Sequence, residues 1–488
     1  MSLKRNHPRT KMVCTLGPSS SDESTLRALV RAGMDVARVN CSHGDEAERA
    51  HTIATIRRVA EKEDANVAVL ADLQGPKLRI GRLDQDPFAL CEGQRVTLSP
   101  DPVPETPTWI PLPHPELIAE LAPGDLLRLD DGAFEIAIDC VESGRVSGLV
   151  VTGGKLRSRV GVSAISCSDC SGPSNTIAAL TDKDRKDAVH ALDQGVDFLA
   201  LSFVRSAEDI AELRTLVERQ TGRASSVGII AKIEKREALD RIEEILPVVD
   251  GVMVARGDLG VEVSVQEVPY HQKRIIRLCN RVGIPVITAT QMLQSMVARP
   301  RPTRAEASDV ANAVLDGTDA VMLSAETAIG AYPVRSAEML MEIARMTETK
   351  LLSWEDPFPF QSVSHEQPVT DAISDATVRV AEEIDAKLIV TSTSSGYTAR
   401  QISRERSSIP IVAVTPNPDI RRRLALTWGV ETSVIPQAET TDELLAQASR
   451  IVREAGMASP GDLIVLTGGF PAGEGGRTNS LRVHRLTD

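Results

Sequence analysis

The stretch GIIAKIEKREALDRIEEILPVVDGVMVARGDLG, residues 228–260, opens on a β-branched apolar run, Gly228–Ile233, passes through charged text of helical period, and reaches a second run, Gly251–Ala255. Uninterrupted apolar runs of this length suit strands buried on both faces. Strand, helix and strand in short succession imply parallel strands joined by a crossover. Working outward, the same unit recurs at Asp197–Ser202, Val67–Ala71, Asp35–Val39 and Met12–Thr15 on the amino side, and at Pro285–Ala289 and Asp319–Leu323 on the carboxyl side. Eight such units are the number that closes a (β/α)8 barrel of the TIM type.

The regularity fails once. About 125 residues separate Ala71 from Asp197, where roughly 30 would suffice for a crossover. Residues 77–173 read instead as turn-punctuated strands, at Arg95–Leu98, within the proline-rich Pro102–Pro115, and at Leu126–Asp131, Phe134–Asp139 and Arg145–Gly153. This predicts a small β-barrel domain inserted after the third strand, with the catalytic barrel made of residues 1–76 and 174–347. A helix at Pro333–Thr347 and a proline-bearing linker, 348–368, lead to a third domain, 369–488. There a helix (Val369–Ile384) and four strands (Leu388–Thr391, Ile411–Val414, Thr432–Ile435 and Leu463–Leu466) alternate with further helical text, the pattern of an open α/β sheet. No internal repeat or low-complexity tract is read.

A chain of 488 residues, 42% hydrophobic and 25% charged, has the composition of an ordinary multi-domain globular protein rather than a disordered or fibrous one. Its 55 basic and 68 acidic residues leave a net charge of −13, which argues against nonspecific binding to nucleic acid or anionic membrane. Any anionic ligand must be held by a local basic pocket. No run approaches the roughly 20 apolar residues of a membrane span, and Met1–Pro8 has no apolar signal core, so a cytoplasmic location is expected. Seven cysteines scattered from Cys14 to Cys279 make no disulfide framework.

Active sites of such barrels lie at the carboxyl ends of the strands. Following each run there gives Arg38, Asn40, Ser42, His43 and Gly44; Asp72, Gly75, Pro76, Lys77 and Arg79; Ser202, Phe203 and Arg205; Lys232 and Glu234; Arg256, Gly257 and Asp258; Thr288 and Thr290; and Ser324, Glu326 and Thr327. Lys232 and Glu234 are two apart in a strand and leave the same face. Glu234 and Asp258, from adjacent strand ends, are hard oxygen donors suited to Mg²⁺ (or Mn²⁺). Arg38, Arg79 and Lys232 supply fixed positive charge for a phosphate. Together these describe a floor for phosphoryl transfer, a reaction that depends on positioning and charge neutralisation. Plainer readings stand beside these. A Lys-x-Glu pair is commonly a structural ion pair, Ser324 and Glu326 can simply bond helix ends, and Phe203 suits packing. Cys167 and Cys170 form a single Cys-x-x-Cys without the second pair that zinc would need.

The strand-end segments, taken in order, resemble pyruvate kinase over nearly the whole chain. The text that carries this is KMVCTLGPSS (11–20), MDVARVNCSHG (34–44), AKIE (231–234), VMVARGDLGVE (252–262), TATQMLQSM (288–296) and RPRPTRAEASDVANAVLDGTDAVMLSAET (299–327). The resemblance implies conversion of phosphoenolpyruvate and ADP to pyruvate and ATP, on a barrel with an inserted lid and a regulatory carboxyl-terminal domain. By motif, it gives Lys232 the transferring phosphoryl group and the developing enolate, Glu234 and Asp258 the divalent ion, and Arg38 the substrate phosphate. Gly257, Asp258 and Thr290 match the pocket around the substrate carboxylate, with Thr290 passing a proton to the enolate. Asn40, His43, Arg79 and Lys183 match nucleotide positions. A homotetramer is implied in the same way.

Departures from the family wording carry information. Asp72 is followed by LQGPK, with Lys77 where many relatives have glutamate. That form resembles the potassium-independent enzymes of the family, and an ammonium group can stand in for a monovalent cation. Potassium activation is therefore expected to be small, with Asn40, Ser42 and Asp72 left as a residual cation site. Ala325, Lys235 and the junction Ser163–Thr176 also depart from the usual wording. In the third domain, the loop TSTSSGYT (Thr391, Ser392, Thr393, Ser394, Ser395, Gly396, Tyr397, Thr398) follows a strand, precedes a helix and offers hydroxyls and amides to an anion. It resembles the family's loop for a phosphorylated allosteric effector, and Arg421–Arg423 could assist, although a basic run is usually a solvated face. Two rivals stay open: a lyase or aldolase on the same barrel, separated by ADP-dependent pyruvate formation, and a catalytically silent metabolite sensor, separated by a Lys232→Met variant.

Overall fold

In the computed structural model the eight expected strands are β1 (Lys11–Thr15), β2 (Val36–Asn40), β3 (Ala68–Asp72), β4 (Phe198–Leu201), β5 (Gly228–Ile233), β6 (Gly251–Ala255), β7 (Val286–Ala289) and β8 (Ala320–Leu323). They form a closed, all-parallel barrel in which β8 returns to β1, with Lys11 opposite Ala320. The structure describes residues 7–101, 108–142, 144–165, 177–223, 227–351, 368–469 and 478–487. Cys167, Cys170 and most of the linker therefore lie outside the described residues.

The strands are uninterruptedly apolar because both faces are covered. One set of side chains, including Leu70, Ile230, Met253, Ile287 and Met322, fills the barrel interior. The other packs against the surrounding helices, among them Glu23–Ala32 and Val268–Val282. Helix starts are pinned by capping boxes at Asp45 with Glu48, Thr181 with Asp184 and Thr303 with Glu306, in which side chain and backbone satisfy each other's free N–H groups.

The inserted segment has its own apolar core, centred on Leu98, Ile110, Leu127, Leu129, Ile136 and Val146. A small β-barrel was the expectation. The ladders instead form a six-stranded mixed sheet and a separate two-stranded ribbon. The strand Arg145–Thr152 leaves the six-stranded sheet at Gly153–Gly154, and Gly154–Leu156 pairs with Phe88–Leu90. Gly153 permits the crossing: a Cβ there would stand 2.5 Å from the carbonyl oxygen of Leu90.

The third domain is a five-stranded sheet in the order 430–434, 411–415, 388–392, 463–468 and 480–485. Its first four strands are parallel, and the last, Ser480–Arg485, is an antiparallel edge that the sequence pattern did not reveal. Half-exposed and charged, that edge carries no apolar run. The short turn Leu424–Leu426 of this domain reaches the barrel, where buried Ala425 and Leu426 join the interior cluster at its amino end. No helix among the described residues is long and apolar enough to cross a membrane.

Candidate active site

At the carboxyl rim, β5 presents Lys232 and Glu234, both buried. The Lys232 ammonium donates to the Ser202 hydroxyl at 2.7 Å and lies 2.9 Å from Glu234 Oε1 and 3.3 Å from Asp72 Oδ1. Burial alone would lower its pKa, but Asp72 and Glu234 outweigh burial and push it above the ordinary lysine range, so it stays charged. Asp72, at the end of β3, also accepts from Arg38 Nε at 2.7 Å. Burial works against its charge, yet Lys232 and Arg38 hold it below the usual carboxylate range.

Arg38 is fixed at both ends of its fork, since Nη1 donates to Thr15 Oγ1 at 2.9 Å. Glu234 is held by Phe203, whose backbone N–H donates to Oε2 at 2.8 Å. Burial, and next to it the Asp258 charge, raise the pKa of Glu234 against the pull of Lys232. Its buried Oε1 has the Lys232 ammonium at 2.9 Å as its one partner among the described residues. That ammonium is shared with Asp72, and the Asp258 charge acts on Glu234 as well, so a further cation beside the two carboxylates would relieve their repulsion. No group of three or more metal-binding side chains exists among the described residues. Two carboxylates suit Mg²⁺, which keeps several water and phosphate ligands.

Backbone strain collects here. Phe203, Thr290 and Gln291 all have positive φ, +55°, +70° and +54°, and for a β-branched threonine this is a costly conformation. It is held from outside: Gly257 N–H donates to Thr290 Oγ1 at 2.9 Å, and Arg256 donates to the carbonyls of Ala289 and Thr290 while pairing with Asp309 at 2.7 Å. Gly75 shares the constraint, because at φ +68° a Cβ would meet the Phe203 ring at 2.6 Å.

The expected nucleotide residues are joined in part. Lys183 donates to the Cys41 carbonyl at 2.7 Å and to Asp187 at 2.5 Å, while Arg49 pairs with the same Asp187 at 2.8 Å and donates to the carbonyls of His43 and Gly44. Lys183 and the His43 loop are thus one unit. Asn40 Oδ1 accepts from the Ser42 N–H at 3.0 Å. Arg79 stands apart on the inserted domain, donating to the Arg159 carbonyl.

Lys77 is exposed and makes no ion pair among the described residues, and no hydrogen bond joins it to Asn40, Ser42 or Asp72. It lines a cleft between the inserted domain and the rim, together with Asp258, Arg205 and Glu262. Glu326 follows the plainer of its two readings: its oxygens accept from the backbone N–H groups of Leu293 and Ser324. In the third domain Thr393 Oγ1 accepts from Gly396 N–H, Thr398 pairs with Thr478, and only Ser394 and Ser395 of that loop are exposed. The basic run is not a solvated face, because Arg422 pairs with Asp197 of the barrel at 2.7 Å.

Ser202, Phe203 N–H, Thr15 and the Arg49–Asp187 pair were not among the residues assigned roles from the sequence. Only the Lys183–Asp187 spacing, i to i+4 on a helix, gave a local signal.

Residues 7–337 match the family described as pyruvate kinase, barrel domain, and residues 371–484 that described as pyruvate kinase, alpha/beta domain. A pyruvate kinase of Agrobacterium vitis is 45% identical over 488 residues, covering 99% of this chain and 98% of the relative. One of Geobacillus stearothermophilus is 44% identical over 482 residues, 98% of this chain and 81% of the relative. Among solved structures, a pyruvate kinase from Cryptosporidium parvum superposes with a TM-score of 0.88 at 33% identity, covering 99% of this chain and 96% of that one.

Proposed function

The chain belongs to the pyruvate kinase family, and we propose from the geometry of its rim how it carries out that family's reaction, phosphoryl transfer from phosphoenolpyruvate to ADP giving pyruvate and ATP. The observation that carries the reading is the Lys232 ammonium, buried between Asp72 and Glu234 beside Arg38. Arg38, braced by Asp72 and Thr15, holds the substrate phosphate. Lys232 stays beside the phosphoryl group through transfer and balances the charge that grows on the enolate oxygen. Glu234 and Asp258 would hold Mg²⁺, whose charge, when bound, offsets that of the phosphates. Thr290 Oγ1 accepts from Gly257 N–H and so keeps its own hydrogen to pass to the enolate carbon. The resulting ketone is far more stable than the enol, which draws the transfer toward ATP.

His43 and Lys183, locked together through Asp187 and Arg49, are proposed to receive ADP, with Asn40 beside them and Arg79 contributed from the inserted domain. Potassium independence is proposed on two grounds. Lys77 brings a fixed positive charge to the cleft, and the candidate cation ligands Asp72 and Asn40 already accept hydrogen bonds. A phosphorylated effector at Ser394, Ser395 and neighbouring amides is proposed from the loop's resemblance. A homotetramer is proposed likewise, supported by the exposed apolar Val265, Tyr270 and Ile329.

The test couples purified protein to lactate dehydrogenase with phosphoenolpyruvate, ADP and Mg²⁺. NADH loss that requires ADP and stops on chelation supports the assignment. Pyruvate formed without ADP supports the lyase instead.

A further inference from the structure

At the amino end of the barrel, far from the reacting groups, four aspartates stand just before alternate strands. Asp35, Asp197, Asp250 and Asp319 precede β2, β4, β6 and β8, and each accepts the backbone N–H of the strand before it. The donors are Met12 at 2.9 Å, Val69 at 2.7 Å, Ile229 at 2.9 Å and Val286 at 3.0 Å. Each also returns its own backbone N–H to the carbonyl of that same residue. The odd strands are therefore clamped at their starts, and they are the strands that lead to Thr15, Asp72, Lys232 with Glu234, and Thr290.

Two clamps are completed by the carboxyl-terminal domain. Arg422 donates to Asp197 Oδ1 at 2.7 Å, while Arg406 lies 3.2 Å from Asp319 Oδ2, stacks on Trp428 with its guanidinium carbon 4.7 Å from the ring centroid, and is buried. Four residues beyond Arg422, Leu426 enters the barrel interior. We propose that the carboxyl-terminal domain positions the catalytic strands through these two carboxylates: Arg422 through Asp197 onto β3 and Asp72, and Arg406 through Asp319 onto β7 and Thr290. Arg422 and Arg406 are positioning residues, since neither reaches the rim.

The path is short and stiff. Val69 and Asp72 are three residues apart in an extended strand, about 10 Å, and the strand is packed on both faces by close-fitted side chains that pass a shift onward rather than absorb it. Loosening β3 should disturb the Asp72 brace on Arg38 and Lys232, which serves substrate binding. Loosening β7 should disturb the strained Thr290, which serves the proton step. The proposal rests on the roles given to Asp72 and Thr290 above.

The test uses the full chain with Arg422→Met, because Arg422 is half-exposed. The expected result is a KM for phosphoenolpyruvate raised about three- to tenfold with kcat within about twofold, the range seen when coupling contacts are cut. Amide exchange in residues 67–72 should quicken, and Arg422→Lys should restore most of the KM. Unchanged KM and exchange in a folded Arg422→Met protein would overturn the proposal. So would a variant whose KM, kcat and thermal midpoint all worsen together without rescue by lysine. If Arg422→Met does not fold, Arg422→Gln is assayed in its place, and loss of folding in both would make the contact merely structural. Wild-type turnover in the same assay keeps this outcome separate from any failure of the reaction assignment.

Discussion

At the amino floor of the barrel Asp197 and Asp319 commit both oxygens, one to a backbone N–H together with an arginine, the other to Arg422 or to the Trp428 N–H. At the carboxyl rim Glu234 Oε1 and Asp72 Oδ1 share a single partner, the Lys232 ammonium 2.9 Å and 3.3 Å away, and no other donor among the described residues reaches them. The residue types and burial are alike, but the bonding differs. A buried carboxylate with every lone pair answered is part of the scaffold, because removing its partner strands a charge. One left partly bare keeps a cost that a ligand can relieve.

If that contrast is sound, rim substitutions should damage turnover far more than folding. Lys232→Met is expected to lower kcat by about 10³-fold, within the range for deleting a charge aimed at the transition state, while phosphoenolpyruvate still protects the protein against thermal unfolding. Turnover within tenfold of wild type would remove Lys232 from the chemistry. Thr290→Ala is expected to cost about 10²-fold in kcat with little change in KM, the usual scale for a proton-transfer group. An effect on KM alone would make Thr290 a binding residue. At the floor the order should reverse. Asp319→Asn leaves Arg406 without its counter-ion and should cost about 3 kcal/mol, read as a drop of several degrees in the thermal midpoint, with residual turnover at low temperature. A variant as stable as wild type would dissolve the distinction between the two ends.

The rim was largely legible in the sequence and the floor was not, for a physical reason. Strand-end side chains announce themselves because charged residues directly after long apolar runs can go nowhere but the barrel mouth. All eight runs from Met12 to Leu323 proved to be strands, within a residue or two at each end. Of the floor aspartates, Asp35, Asp197 and Asp319 open the runs as read and Asp250 stands just before one, and a polar residue at the start of a strand needs no explanation. Three share only a Gly-x-Asp, at 33–35, 195–197 and 317–319, too short to stand out as a repeat. What holds each rim residue was also hidden, since Ser202, Phe203 and Thr15 reach their partners from 23 to 31 positions away. In the inserted domain Phe88–Leu90, Gly154–Leu156 and Val162–Ile165 escaped notice because three or four residues carry no readable period.

The smallest expected effect tests the rim from its edge. Asp72 and Asn40 already accept hydrogen bonds, and Lys77 brings its own positive charge to the cleft. Replacing sodium by potassium at constant ionic strength should therefore change turnover by less than about twofold, because a charge fixed on the protein leaves an added monovalent ion less to supply. Lys77→Glu removes that charge and adds an oxygen donor to the cleft that Asp258, Arg205 and Glu262 also line. If the lysine stands in for the ion, this variant should be slow in sodium and recover several-fold in potassium, whereas Lys77→Met should be slow in both. A wild-type protein strongly activated by potassium would mean that Asp72 is freed from Arg38 when substrate binds. The rim carboxylates would then be open to two cations rather than one, and the single ammonium shared by Glu234 and Asp72 would cease to be the feature that sets the two ends of the barrel apart.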